Sequence, residues 1–111
     1  MQKLLAIFAV LVVCASPGLA SEPLKAPAIR KMIPGRYEAS AFGFRFDIQL
    51  YRDGAVLGRF GKWQDKGRWS IRDDKLCIAL SDWTDNAFRC APILKSATGR
   101  YRAGPFTVLR K

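Results

Sequence analysis

From Arg36 to the C-terminus, apolar residues recur at every second position rather than every third or fourth. The clearest stretch is Phe42 to Tyr51. Phe42, Phe44, Phe46, Ile48 and Leu50 fall on one face, and Gly43, Arg45, Asp47, Gln49 and Tyr51 on the other. Strict alternation of this length predicts a half-buried strand. Arg52-Asp53-Gly54 follows, an Asp-Gly turn that supplies the positive φ a tight hairpin needs, and Ala55–Phe60 is the return strand. Gly61 to Gly67 reads as a loop. Arg68–Arg72 is a strand with Trp69 and Ile71 facing one way, and Asp73-Asp74 is a short acidic turn. Lys75–Ser81 is the next strand, with Leu76, Ile78 and Leu80 on one face and Cys77 and Ala79 on the other. Asp82 to Asp85 turns the chain and Asn86–Leu94 returns. After a turn over Lys95–Gly99, Arg100–Ala103 and Pro105–Arg110 form a last hairpin, split by Gly104.

Seven or eight short strands separated by turn signals, with no helical pattern after Pro34, predict an all-β antiparallel meander. Curling into a small closed or nearly closed barrel would hide the strand edges; a two-sheet sandwich is the alternative. The bulky residues from Phe42 to Leu50, with Trp69, are expected to fill the interior.

The first 20 residues do not share this pattern. Met1-Gln2-Lys3 is short and basic, Leu4 to Cys14 is unbroken apolar, and Ala15 to Ala20 brings turn-formers and small residues. This is the layout of a cleavable signal peptide, with Gly18 and Ala20 small where the peptidase requires it and the cut between Ala20 and Ser21. The apolar run is about half of the ~20 residues that span a bilayer, so no membrane span is expected. Val13 stands before Cys14 where a lipid-modified cysteine requires a small residue. Residues 21–34, with Pro23, Pro27 and Pro34, read as an extended arm with one helical turn near Ala28–Met32, and residues 35–111 as the barrel domain. The expected location is the periplasm or the extracellular space.

Removing the leader leaves two cysteines, Cys77 and Cys90. An even pair in a small exported chain reads as a disulfide. A hairpin centred on Trp83 and Thr84 places the two opposite each other.

Charge and missing residue types narrow the chemistry. The chain has 19 Lys+Arg against 9 Asp+Glu, a net +10 that becomes +9 once Lys3 leaves with the leader. It has no histidine, which removes the commonest acid–base group, nucleophile partner and zinc ligand. Five of the nine carboxylates, Asp53, Asp73, Asp74, Asp82 and Asp85, fall in turns, where aspartate caps backbone N–H groups. A non-enzymatic protein without metal or cofactor is expected. Cations alternate with aromatics at Lys62-Trp63, Arg68-Trp69, Phe88-Arg89 and Arg100-Tyr101-Arg102. On a strand this mostly reflects an aromatic facing in and its neighbour facing out, but Trp63 and Trp83 lie in expected loops. Lys62, Trp63, Arg68, Trp83, Arg100 and Arg102 are therefore the candidate binding residues. The expected partner of this monomer is an anionic envelope component or acidic protein, not a nucleic acid. Inhibition of an exported hydrolase and carriage of a small apolar ligand are the alternatives.

Residues 35–111 resemble small, uncharacterised, exported lipocalin-like β-barrel proteins of Gram-negative bacteria. The phrases that carry the resemblance are Tyr51-Arg52-Asp53-Gly54, Gly67-Arg68-Trp69-Ser70, and Asp74-Lys75-Leu76-Cys77-Ile78 with a second cysteine a dozen residues on. They imply a fold and a compartment, and no activity. The end of the chain, from Gly99 to Arg110, is similar to periplasmic metalloprotease-inhibitor barrels, which push an N-terminal arm into the protease cleft. That likeness implies such a role for the arm beginning at Ser21, although in those barrels the disulfide lies in the first half of the domain. Ser96 to Tyr101 also resembles a loop of lysozyme-inhibiting barrels, whose animal-type targets share this chain's positive charge.

Overall fold

The computed structural model describes residues 22–111, so the expected leader and the expected cut between Ala20 and Ser21 lie outside the described residues. One short helix, α1 (Ala26–Arg30), precedes nine strands: β1 (Gly35–Ala41), β2 (Phe44–Leu50), β3 (Ala55–Phe60), β4 (Trp63–Arg72), β5 (Lys75–Leu80), β6 (Arg89–Ala91), β7 (Ile93–Ala97), β8 (Arg100–Ala103) and β9 (Phe106–Arg110). All nine belong to one antiparallel sheet in the order β6-β5-β4-β3-β2-β1-β9-β8-β7. The result is a nearly closed barrel, not a sandwich, with nine strands in place of seven or eight.

The strands depart from the expected ones at three places, each with a local cause. Phe42 and Gly43 both have positive φ, 54° and 81°, and make the two-residue turn between β1 and β2. The long alternating stretch is thus cut at its head, and Phe42 stands at a hairpin tip. A bulky residue in the left-handed region costs roughly 1–2 kcal/mol, and the Gly43 beside it was the available signal. Residues 63–67, expected in a loop, are the first half of β4 and pair with β3 from Phe60↔Trp63 to Val56↔Gly67. The single return strand expected over Asn86–Leu94 is divided at Pro92, which has no N–H to donate.

That division closes the barrel. The run from Arg89 to Ala97 is extended on both sides of Pro92, but its halves pair with different neighbours. Arg89–Ala91 joins β5, with Cys77 opposite Cys90, and these two are disulfide-bonded. Ile93–Ala97 joins β8. The two ends of the sheet therefore meet in one continuous stretch of chain, and β1 pairs with β9 to complete the wall.

The segment before β1 is built into the barrel. The Leu24 N–H donates to the Ile93 carbonyl at 2.8 Å and Pro23 bridges Leu94, covering part of the free edge of β7. The Ala26 N–H donates to Asp74 Oδ1 at 2.8 Å, so α1 hangs under the β4–β5 turn. Its turn forms two residues earlier than the sequence suggests, with Pro27 in the first turn where a missing N–H is harmless. Ile29 is completely buried, and Met32 nearly so. They join Tyr37, Ile48, Leu50, Val56, Leu76, Leu80, Ile93 and Tyr101 in the core. The Tyr37 hydroxyl donates to the Met32 carbonyl at 2.6 Å and accepts from Arg110 Nη1 at 2.8 Å.

Successive hairpins alternate between the two ends of the barrel. The β2–β3, β4–β5 and β7–β8 turns share one end with α1, which plugs it. The β1–β2, β3–β4, β5–β6 and β8–β9 connections share the other. No helix among the described residues is long and apolar enough to cross a membrane.

Candidate functional site

The inner face changes character from the plugged end to the far one. Along β2, Leu50 and Ile48 are buried, Phe46 is half-buried, and Phe44 is 61% exposed. Small residues occupy facing inward positions: Ala39 on β1, Gly58 on β3, Ala91 on β6 and Ala103 on β8. Bulky side chains at one level and small ones at the next leave a cavity of about 490 Å³, walled by Ile48, Leu50, Ile78, Leu80, Val108 and their neighbours and floored by Met32. The expectation of a filled interior fails because Phe42 and Phe44 sit at the tip and rim of the barrel, and because Trp69 does not reach the cavity. Its Nε1–H donates to the Tyr51 carbonyl at 2.7 Å.

The cavity is lined almost wholly by apolar groups. Its charged neighbour is Arg89, which stands opposite Ile78 on the inward face of β6, beside Trp83, Thr84 and the Gly104-Pro105 turn that form the far end. Arg89 is exposed, and no carboxylate among the described residues lies within ion-pair distance of it.

Asp65 shapes this end. It faces inward from β4 opposite Gly58 and is the buried charged residue of the described chain. Its carboxylate accepts the N–H groups of Lys66 at 3.0 Å, Asp82 at 2.9 Å and Trp83 at 2.8 Å. The β5–β6 turn is thereby folded over the rim, and the Trp83 indole lies on Gly58. A Cβ at that glycine would stand 2.6 Å from Trp83 Cζ3. Trp83 also meets Phe46 edge-on, with ring centroids 6.0 Å apart, and Phe46 meets Phe106 in the same way at 5.6 Å.

Outside this aromatic wall lies a second, open cleft of about 380 Å³, lined by Phe44, Phe46, Phe60, Trp63 and Trp83. Phe46 and Trp83 thus separate the rim cleft from the interior. Of the six binding residues expected from sequence, the structure brings Trp63 and Trp83 together here, with Lys62 above the Trp63 ring at 5.8 Å. It does not bring the others. Arg68 lies on the outer wall, 5.1 Å from the Phe88 ring that Arg72 also covers at 4.3 Å. Arg100 and Arg102 flank the buried Tyr101 on β8 and point away from the interior. Phe44, Phe46, Phe60 and Arg89 were not among the candidates, because pattern alone assigns alternating aromatics to a core and reads Arg89 as the outward neighbour of Phe88, whereas it stands opposite Ile78 on the inward face.

No three potential metal-ligating side chains converge among the described residues. Compared with known proteins, the chain matches no family model, no curated protein and no solved structure.

Proposed function

We propose that this protein is an exported binding protein that holds a small amphipathic ligand, with the apolar body inside the barrel and an anionic head at Arg89. The observation that carries the reading is the apolar cavity of about 490 Å³. This falls within the ~300–1,000 Å³ typical of small-molecule sites, which combine apolar walls with a few placed polar groups. Apolar surface withdrawn from water contributes about 25 cal/mol per Å². A cation at the opening, unpaired by any described carboxylate, favours an anionic head over a neutral one of the same chain length. The lipocalin-like resemblance and the leader agree with this reading, and the disulfide suits an oxidising compartment.

Displacement of an environment-sensitive fluorophore by laurate and by lauryl alcohol tests it. Saturable displacement by both, tighter for laurate, is expected. Ala39→Trp or Ala103→Trp should fill the cavity and abolish binding, while Arg89→Gln should weaken laurate binding and leave the alcohol unchanged. Absence of saturable binding in the folded, oxidised protein would remove the proposal. The inhibitor reading requires a free N-terminal arm, and here Leu24, Ala26 and Ile29 are held by the barrel.

A further inference from the structure

The aromatic residues at the far end of the barrel are far more exposed than those of a core. Phe42 is 84% exposed and Trp63 63%, with Phe44 beside them and Phe60 partly covered. They come from two neighbouring hairpin tips, β1–β2 and β3–β4, and form one surface: the Phe44 and Phe60 rings lie 6.0 Å apart, and Phe60 is in register with Trp63. The side chain of Phe42 occupies the turn position next to Gly43 with φ 54°. A glycine or asparagine would sit there without strain, yet the chain places a large, 84% exposed apolar ring at this turn. Isolated exposed apolar residues are ordinary, but a contiguous patch of this kind marks an interaction site.

The cations beside the patch identify its partner. Arg45, Arg59 and Lys62 lie on the same two hairpins, and residues 39–46 and 54–64 contain no carboxylate. Of the carboxylates nearby, Asp65 is buried and accepts backbone N–H groups, Asp47 stands opposite Arg59 and is paired with Lys111 at 2.8 Å, and Asp82 and Asp85 belong to the β5–β6 turn. Arg45 contacts Glu38 at 3.6 Å but keeps most of its side chain in solvent. Projecting Phe and Trp with a basic collar fit the headgroup region of an anionic bilayer, where aromatic rings enter the interface and cations meet phosphate. An acidic protein would match the charge as well, and equal binding to neutral and anionic vesicles is the outcome that would point to it.

We infer that the Phe42–Phe44–Phe60–Trp63 tip docks on an anionic lipid surface, with Arg45, Arg59 and Lys62 against the phosphates. This goes beyond ligand binding and turns the far end of the barrel toward the membrane. It also refines the anionic envelope partner expected from sequence, replacing Arg68, Arg100 and Arg102 by the residues of the two tips.

The test is co-flotation of the oxidised protein with vesicles of phosphatidylcholine alone or mixed with phosphatidylglycerol. Binding to the mixed vesicles, falling with added salt and accompanied by a blue shift of tryptophan emission, is expected. Phe42→Ser with Trp63→Ser should lower binding at least tenfold, and Lys62→Gln about fivefold, the worth of one cation near such a surface. Arg100→Gln with Arg102→Gln should leave it within a factor of two to three of wild type, roughly the effect of charges off the docking face. Phe42 and Trp63 do not line the interior cavity, so unchanged laurate affinity and unchanged circular dichroism show that the double variant is folded. Undiminished vesicle binding by that variant, equal binding to neutral vesicles, or loss on Arg100/Arg102 substitution would each overturn the inference. Vesicle binding is read without laurate, so its failure is separate from failure of the cavity.

Discussion

Ile29→Ala tests whether the N-terminal segment belongs to the barrel. Ile29 is fully buried although α1 spans only Ala26–Arg30, and so short a helix has no stability of its own. Truncation removes three carbons, worth about 2–2.5 kcal/mol at ~0.8 kcal/mol for each buried methylene. Incomplete collapse around the gap raises the loss toward about 5 kcal/mol. The hydrogen bonds that also pin the segment, Leu24 to Ile93, Ala26 to Asp74 and Tyr37 to Met32, contribute about 0.5–1.5 kcal/mol each. The truncation therefore removes a large share of what holds α1 in place. Urea denaturation should show a loss of at least about 2 kcal/mol, and the melting temperature should fall by about 8 °C or more. Hydrogen exchange distinguishes two routes: if α1 alone opens, the Leu24 and Ile29 amides lose protection while those of β1 and β2 keep it. A loss below about 1 kcal/mol with protection intact would refute the reasoning and restore the picture of a loosely attached arm.

Gly67→Ala should be more severe, since a Cβ there would collide with the Ala79 carbonyl oxygen and only backbone displacement can relieve it; loss of more than about 3 kcal/mol, or no soluble folded protein, is expected in a thermal melt. Reducing the Cys77–Cys90 disulfide, which spans 13 positions, should cost about 3 kcal/mol on the chain-entropy model, read as a lower urea midpoint in dithiothreitol. Because that bond ties the closing strand β6 to β5, laurate affinity should fall with it. The Tyr37 hydroxyl titrates above its usual 10.0, mainly because burial disfavours the phenolate, with Arg110 opposing the shift and Tyr101 adding to it. The unfolded chain loses this proton first, so the stabilisation is present below pH 10, declines as the pH rises above 10 and is lost through the folded-state value. Tyr37→Phe should flatten the alkaline limb of a stability–pH curve; an unchanged limb would show that other groups cause it.

Particular residues show how far the sequence could be read. Leu76, Ile78 and Leu80 alternate with Cys77 and Ala79, and the structure keeps that strand and pairs Cys77 with Cys90 across it as the Trp83–Thr84 turn demanded. Phe42 to Leu50 shows the opposite case. Alternation put five large residues on one face, but it carries no information on height along the barrel, and height decided that Leu50 is core while Phe44 is rim. Trp63 and Trp83 were legible as unusual because they stood near turns. Arg89 was not, since its significance depends on the cavity behind it.

Local order alone therefore determined the strand period, the main turns, the disulfide pair and the basic surface, because each depends on composition or on neighbours no farther off than one hairpin. Tertiary closure decided the rest: which strand ends meet through the kinked 89–97 run, that Ile29 plugs one end, and that small residues facing each other across the barrel leave its interior open. Those outcomes depend on residues far apart in the chain coming to the same level of a curved sheet, and no pattern read along the chain encodes that distance.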